Sequence, residues 1–299
     1  MPVSTTYYGS EEIMIRGMWV RRGLLMLALS MAFSAPAFAQ ADFTGTWGAR
    51  YQEDFPERIP GPELGDYLGL PINASARQFA DSWDPSRITL PEEQCRVHVS
   101  PYIYRGPLNL RIWEERDPDT QELVAIKHHI STYDQTRTIY MDGRPHPPEI
   151  AAHTWKGFST GRYIGDMLEV ETTHIKQGWI RRNGLPMSDK ATLTEFFVRN
   201  GDLLTRISVT RDPVYLTEPL VKSEDFTLAA RSLPPQNWLY ECHPVVEVVR
   251  PKGVVPAFQL GENTFPKEFQ DRFHLPAAAT NGGAETMYPE FMDKLKQAK

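Results

Sequence analysis

Histidine is the side chain whose ordinary titration range straddles neutral pH, so an imidazole held beside a carboxylate or a cation can take and return a proton. Asp142-Gly143-Arg144-Pro145-His146 gathers three ionisable side chains around a turn, and His153 follows after a short loop. His174 closes the run Met167–His174, in which alternation puts Leu168, Val170, Thr172 and His174 on one face and Glu169, Glu171 and Thr173 on the other. That parity predicts an imidazole pointing inward, where it needs a hydrogen-bond partner. On this reading His174, with His153 and His146, moves protons; Asp142 or Asp166 orients a ring. Arg162, across the hairpin from His174, or Arg181 then stabilises developing negative charge. Plainer roles stand beside these. Asp142 can cap its own turn with Arg144 as a surface partner, His174 can be a satisfied core histidine, and Arg181-Arg182-Asn183-Gly184 can be a solvated turn. Tyr140, Trp155 and Tyr215 are candidates to line a pocket for a ring or chain, although aromatic stripes are also ordinary core.

Other chemistries find less support. Gly157-Phe158-Ser159-Thr160-Gly161 matches the Gly-x-Ser-x-Gly pattern, but a nucleophile elbow needs a helix behind its serine. Here Arg162, a Gly165-Asp166 turn and another strand follow. His128 and His129 are adjacent, so in a strand they face opposite sides and cannot chelate one ion together. Zinc would require three of His146, His153, His174 and His243 to converge in space, and no metal is expected. Phosphate loops and dinucleotide fingerprints are missing, so no cofactor is expected either. The chain carries 32 Lys and Arg against 38 Asp and Glu, a net charge of −6, with both signs interspersed. Nucleic acid, which demands a dense positive surface, is therefore not an expected partner.

The elements that must position these residues are short. Arg21-Arg22, the apolar run from Gly23 to Phe33 and Ala37-Phe38-Ala39 read as a signal peptide over residues 1–39, cleaved after about Ala39. Its apolar stretch of roughly a dozen residues falls short of the ~20 needed to span a bilayer, so no permanent membrane anchor is expected. The protein is then periplasmic or secreted, where its two cysteines, Cys95 and Cys242, favour a disulfide.

Residues 40–299 read as a single all-β, mainly antiparallel domain. A first strand covers 43–52. An irregular excursion or lid, 53–107, holds a short helix near Asn73–Phe79. Strand-like segments then recur at 108–114, 122–130, 136–141, 156–163, 167–174, 192–199 and 203–210. Ile164-Gly165-Asp166 and Asn200-Gly201-Asp202 mark tight hairpins. Residues 250–299 read as an irregular extension ending in a short helix from Tyr288.

Gly45-Thr46-Trp47 resembles the Gly-x-Trp signature of lipocalin-like barrels, whose tryptophan closes one end. The chain also resembles a widespread family of exported, largely uncharacterised bacterial proteins. The resemblance rests on Phe43 to Trp47, Arg137 to His146, Gly157 to Arg162 running into Gly165 to Thr173, and Asp212-Pro213-Val214-Tyr215. Tyr163 stands where that family would have Trp. The resemblance implies a lipocalin-like β-barrel or strongly curved sheet and brings no established reaction. Two functions follow from the residues: a cofactor-independent acid–base enzyme of lyase or isomerase type acting on a small, partly hydrophobic molecule, aromatic ones included; or a non-catalytic carrier or sensor of a hydrophobic ligand. An envelope accessory protein that contacts a partner through its irregular segments is a third.

Overall fold

Period-two alternation in short strands closes a sheet on itself. The computed structural model describes residues 40–50, 64–104, 109–131, 133–181, 183–229 and 242–297. Residues 1–39, read above as a signal peptide, and parts of the excursion, 53–63 and 105–107, lie outside these, and residues from Gln40 onward form one compact unit. Eleven strands are described: β1 (Gly45–Ala49), β2 (Leu110–Arg116), β3 (Leu123–Ile130), β4 (Gln135–Tyr140), β5 (Phe158–Ile164), β6 (Met167–Thr173), β7 (Gly178–Trp179), β8 (Pro186–Met187), β9 (Thr192–Asn200), β10 (Leu203–Arg211) and β11 (Leu220–Leu228). All but β7 and β8 form a closed nine-stranded barrel, in the order β1-β11-β10-β9-β6-β5-β4-β3-β2, and β7–β8 make a separate small ribbon.

Two features depart from the expected antiparallel meander. β4 and β5 pair in parallel, Ile139 opposite Ser159 and Tyr140 opposite Thr160. A parallel pair needs its chain carried back to the starting end, so residues 141–157, which include the predicted turn at Asp142–His146, run as a strap along the outer wall. β11 was not expected from the sequence. Its run Leu220–Leu228 holds Lys222, Glu224 and Asp225, and its parity turns Glu224 and Phe226 inward. A buried charge hides a strand from a hydrophobic-periodicity reading.

The β2–β3, β5–β6 and β9–β10 turns share one end of the barrel. There Trp47 is fully buried; its indole Nε1 donates to the Phe43 carbonyl at 3.0 Å, and the Arg199 guanidinium lies 5.2 Å from its ring centroid. The other end is covered by the excursion: α1 (Ala74–Asp81), α2 (Pro91–Gln94) and α3 (Ser100–Ile103). Asn73 caps α1, accepting from Ala76 N at 3.0 Å, and donates from Nδ2 to the Val214 carbonyl at 2.7 Å. Ile103 and Tyr104 pack into the barrel core with Phe197 and Phe226, so α3 plugs this end. A second core, including Ile72, Ala76, Ala80, Leu185 and Leu216, fastens the excursion to the β6–β9 and β10–β11 connections.

The C-terminal extension is more ordered than its sequence predicted, with α4 (Phe265–Phe273), α5 (Ala277–Thr280) and α6 (Pro289–Gln297). Arg77 of α1 donates to the carbonyls of Thr280 and Gly282, tying this segment to the excursion. The Cys95–Cys242 disulfide is formed, as its residues predicted. Among the described residues, no helix is long and apolar enough to cross a membrane.

Candidate functional site

Strand parity fills the barrel interior with ions. Arg137 of β4, Glu195 of β9, Arg206 of β10 and Glu224 of β11 all face inward at 1% exposure or less. Arg206 lies directly opposite Glu224 in register, and Glu195 lies two residues from its opposite neighbour Phe197. The guanidinium of Arg206 therefore reaches both carboxylates, donating from Nε to Glu195 Oε1 at 2.7 Å and from Nη1 to Glu224 Oε2 at 2.6 Å. Arg137 grips both oxygens of Glu195, with Nη1 to Oε1 at 3.0 Å and Nη2 to Oε2. Its remaining donors reach Ser159 Oγ at 3.1 Å, Thr172 Oγ1 at 2.7 Å and Tyr104 Oη at 2.9 Å. Burial alone would push the Glu195 carboxyl up, but the two guanidiniums outweigh it and hold it at about 2.

Tyr104 hydroxyl accepts from Arg137, so its own proton goes to His128 Nδ1 at 2.8 Å. His128 is then neutral with its proton on Nε2, beside the perpendicular ring of Phe197. Burial, reinforced by Arg137, drives its pKa down to about 3. His129, its neighbour, points outward to Asp134. Ser159 is buried near the start of β5 with the strand running on behind it, and is bonded to Arg137 and Thr172, so no elbow forms.

The predicted proton-handling residues land elsewhere. β6 ends at Thr173, and His174 takes a left-handed backbone with φ 55°. This conformation breaks the alternation that predicted an inward ring. His174 instead lies on the outer wall, where the strap brings His146 and His153 beside it. The four bonds there run in one direction. Thr160 hydroxyl donates to His146 Nε2 at 2.8 Å, and His146 Nδ1 donates to Thr173 Oγ1 at 2.7 Å. Thr173 hydroxyl donates to His174 Nδ1 at 2.7 Å, and His174 Nε2 donates to the Pro148 carbonyl at 3.0 Å. This follows because a carbonyl only accepts, which puts the His174 proton on Nε2. His153 Nδ1 donates to the Ile175 carbonyl at 3.0 Å, and its ring sits 5.2 Å from that of His174. Three predicted histidines thus come together, as a hydrogen-bonded seam rather than a lined cavity.

Their predicted helpers do not join them. Asp142 is exposed and chelates Arg144, which stacks 3.8 Å over Tyr140 on the outer wall. Arg162 has a side chain 70% exposed, because its parity is that of its cross-strand partner Glu169, with which it pairs. Asp166 is exposed in the β5–β6 turn at the opposite end of the barrel. Arg181 bonds Asp66, and Asn183 Nδ2 donates to the Asp66 carbonyl at 2.8 Å. A side chain at Gly184 would strike Trp83 Cβ at 2.4 Å, so this segment is packed and is not a solvated turn. No group of His, Cys, Asp and Glu suited to a metal occurs among the described residues.

Open concave space lies outside the barrel, at the helical end. One cleft of about 310 Å³ is bounded by Trp83, Arg96, His98, Trp179, Cys242 and Glu247, with His243 also in its wall. A second, of about 230 Å³, shares Arg96 and Trp179 with it and adds Phe79, Arg87, Trp155 and Gln177. The first volume lies at the lower end of small-molecule pockets, roughly 300–1,000 Å³, and the second falls below it. Glu93 joins the two guanidiniums, with Oε1 3.3 Å from Arg87 Nη2 and Oε2 3.0 Å from Arg96 Nη1. Trp83 and Trp179 meet edge to face at 4.5 Å, and Arg87 lies over both. Of the four predicted ligand-binding residues, Trp155 lines this site. Tyr215 packs behind it on Phe79 at 6.1 Å, while Tyr140 and Arg181 stand apart. The sequence reading missed Arg87, Arg96 and Trp179, which sit in a short 3-10 turn, a loop and the two-residue strand β7, none of which carries a motif.

No family model matches the chain, and no curated protein matches it. Among solved structures it is similar to a secretary abundant heat soluble (SAHS) protein from Ramazzottius varieornatus. Identity is 11% and the TM-score 0.32, with 64% of this chain and 98% of that chain covered. A likeness of that distance says nothing of what this chain binds.

Proposed function

We propose that this chain is an exported, non-catalytic barrel protein that holds a small, partly hydrophobic ligand. The clefts at its helical end, not the barrel interior, form the binding site. We further propose its membership in the widespread exported bacterial family that the Gly45-Thr46-Trp47 and Arg137–His146 segments resemble. One observation carries the binding reading: the interior is occupied by its own ion pairs and plugged by α3, while aromatic rings and guanidiniums converge on the open clefts. Export is supported by the disulfide, which forms and persists in oxidising compartments.

Against the acid–base alternative weighs the hydrogen bonding of the outer seam, where His146 and His174 each have both ring nitrogens engaged. Native mass spectrometry of protein purified from its own cell envelope tests the reading. A bound small molecule that leaves chemically unchanged, and whose retention fails in Trp179→Leu, is the expected result. Turnover of that molecule, abolished by His174→Ala in a folded protein, would reinstate the enzyme.

A further inference from the structure

We infer that the ligand of the smaller cleft is a flat aromatic anion, its negative group held by Arg96 and Arg87 and its ring set against Trp179 and Trp155. This deepens the proposed binding role and rests on it. The lining of that cleft contains two guanidiniums and no carboxylate. Glu93, the one acid bonded to both, engages Nε and Nη2 of Arg87 and Nη1 of Arg96. Among the described residues, Nη1 of Arg87 and Nε and Nη2 of Arg96 have no hydrogen-bond partner. Their side chains are 26% and 31% exposed, open enough to be reached from the cleft. Lys176 adds a third cation, 5.1 Å from the Trp155 ring centroid, on the ring that Arg96 also covers at 5.6 Å.

Two cations with one shared counter-ion leave a net positive site, and guanidinium donors in a fixed fork favour a planar oxyanion. The arginines already lie within cation–π range of indoles, at 5.5–5.8 Å from the ring centroids, so less ordering is left to occur on binding. The ring requirement comes from the walls, since Phe79, Trp155 and Trp179 supply faces and edges suited to stacking. The larger cleft, with Glu93 and Glu247 in its wall, lacks this bias.

The test is titration of the full chain with 2-naphthoate, its neutral counterpart 2-naphthylmethanol, and inorganic phosphate, followed by tryptophan fluorescence and calorimetry. Naphthoate should saturate and bind about tenfold more tightly than the alcohol, the discrimination expected of a charge-assisted guanidinium contact. Arg96→Gln should reduce naphthoate to the affinity of the alcohol, and Trp179→Leu should weaken both. Arg96→Lys keeps the charge without the fork and should fall between, which covers a poorly folded Gln variant. Equal binding of acid and alcohol overturns the anion assignment and leaves the binding role standing. Phosphate competing as well as naphthoate overturns the ring assignment. Failure of both aromatic probes, with a co-purified ligand retained in Trp179→Leu, overturns this inference and the proposed site together.

Discussion

Glu195 and Arg206 meet at 2.7 Å with neither side chain exposed to solvent. Two ions taken out of water are held there only because Arg137 and Glu224 complete a neutral set of two cations and two anions. Breaking such a set is costly, because the remaining charges cannot be resolvated. Glu195→Ala should therefore lower unfolding free energy in urea by about 3–5 kcal/mol, against ~0–1 for an exposed pair such as Lys267–Asp271. A loss near the surface value would mean that water enters the interior.

Acid should destabilise the fold in two stages. His128 is held neutral down to about 3 when folded, whereas an unfolded histidine titrates near its ordinary 6.5. Between those values the unfolded chain binds the extra proton, so stability falls as pH drops below about 6.5, by up to about 1.4 kcal/mol per pH unit. His146, whose pKa burial lowers, acts in the same direction. Glu195 works lower. Its folded pKa of about 2 lies below the ordinary 4.5, so its contribution is present above 4.5 and fades as pH falls toward 2. His128→Gln should flatten the melting-temperature profile between pH 6.5 and 4.5 and leave the steeper fall beneath.

Which features could be read from the residues follows from how local their causes are. The strands, their hairpins at Gly165 and Gly201 and the α1 helix followed from alternation and turn chemistry within a few residues, whereas closure into a barrel was implied only by the resemblance at Gly45-Thr46-Trp47. His174 did not, because one left-handed residue at the strand end reverses a parity argument that regular strand geometry makes firm. The parallel β4–β5 pair was also hidden, since the strap between them carries no periodicity to show that it crosses the outer wall. The interior ions were hidden by their own charge: Arg137, Glu195, Arg206 and Glu224 look like surface residues until four strands bring them together. The cleft depends on Arg87, Arg96, Trp155 and Trp179 meeting from three segments far apart in the chain, a tertiary event that no spacing records.

The outer seam should behave as structure. Thr173 hydroxyl is the link through which His146 and His174 are joined. Thr173→Val keeps the shape and removes that link, so it should cost about 1 kcal/mol, the usual worth of a hydrogen bond at a half-buried site. Ligand affinity should stay within experimental error of the parent. A large fall in affinity, without loss of folding, would place the ligand at the seam and away from the clefts.

The disulfide should matter more for the cleft than for the barrel. Cys95 follows α2, and Cys242 lines the larger cleft, with a sequence separation of 147 residues. Beside it Gln94 clasps Val245 in both directions, Nε2 donating to its carbonyl at 2.8 Å and Oε1 accepting from its amide at 2.7 Å. Residues 242–250 have no helix or strand of their own, so local ties such as these, with Arg250 Nη1 donating to Thr89 Oγ1 at 2.6 Å, hold this wall against the excursion. Cross-linking so long a loop is worth about 4–5 kcal/mol in the chain-entropy view, but only if the whole loop is released together. β2 to β11 lie inside that loop and are held by the barrel, so most of its entropy is already lost when the barrel folds. Cys95→Ser with Cys242→Ser should then lower global stability by less than that figure while opening the 242–250 segment to rapid amide exchange and weakening ligand binding. Amide hydrogen exchange distinguishes the outcomes: uniform loss of protection across β9 and β10 would show that the disulfide supports the barrel itself.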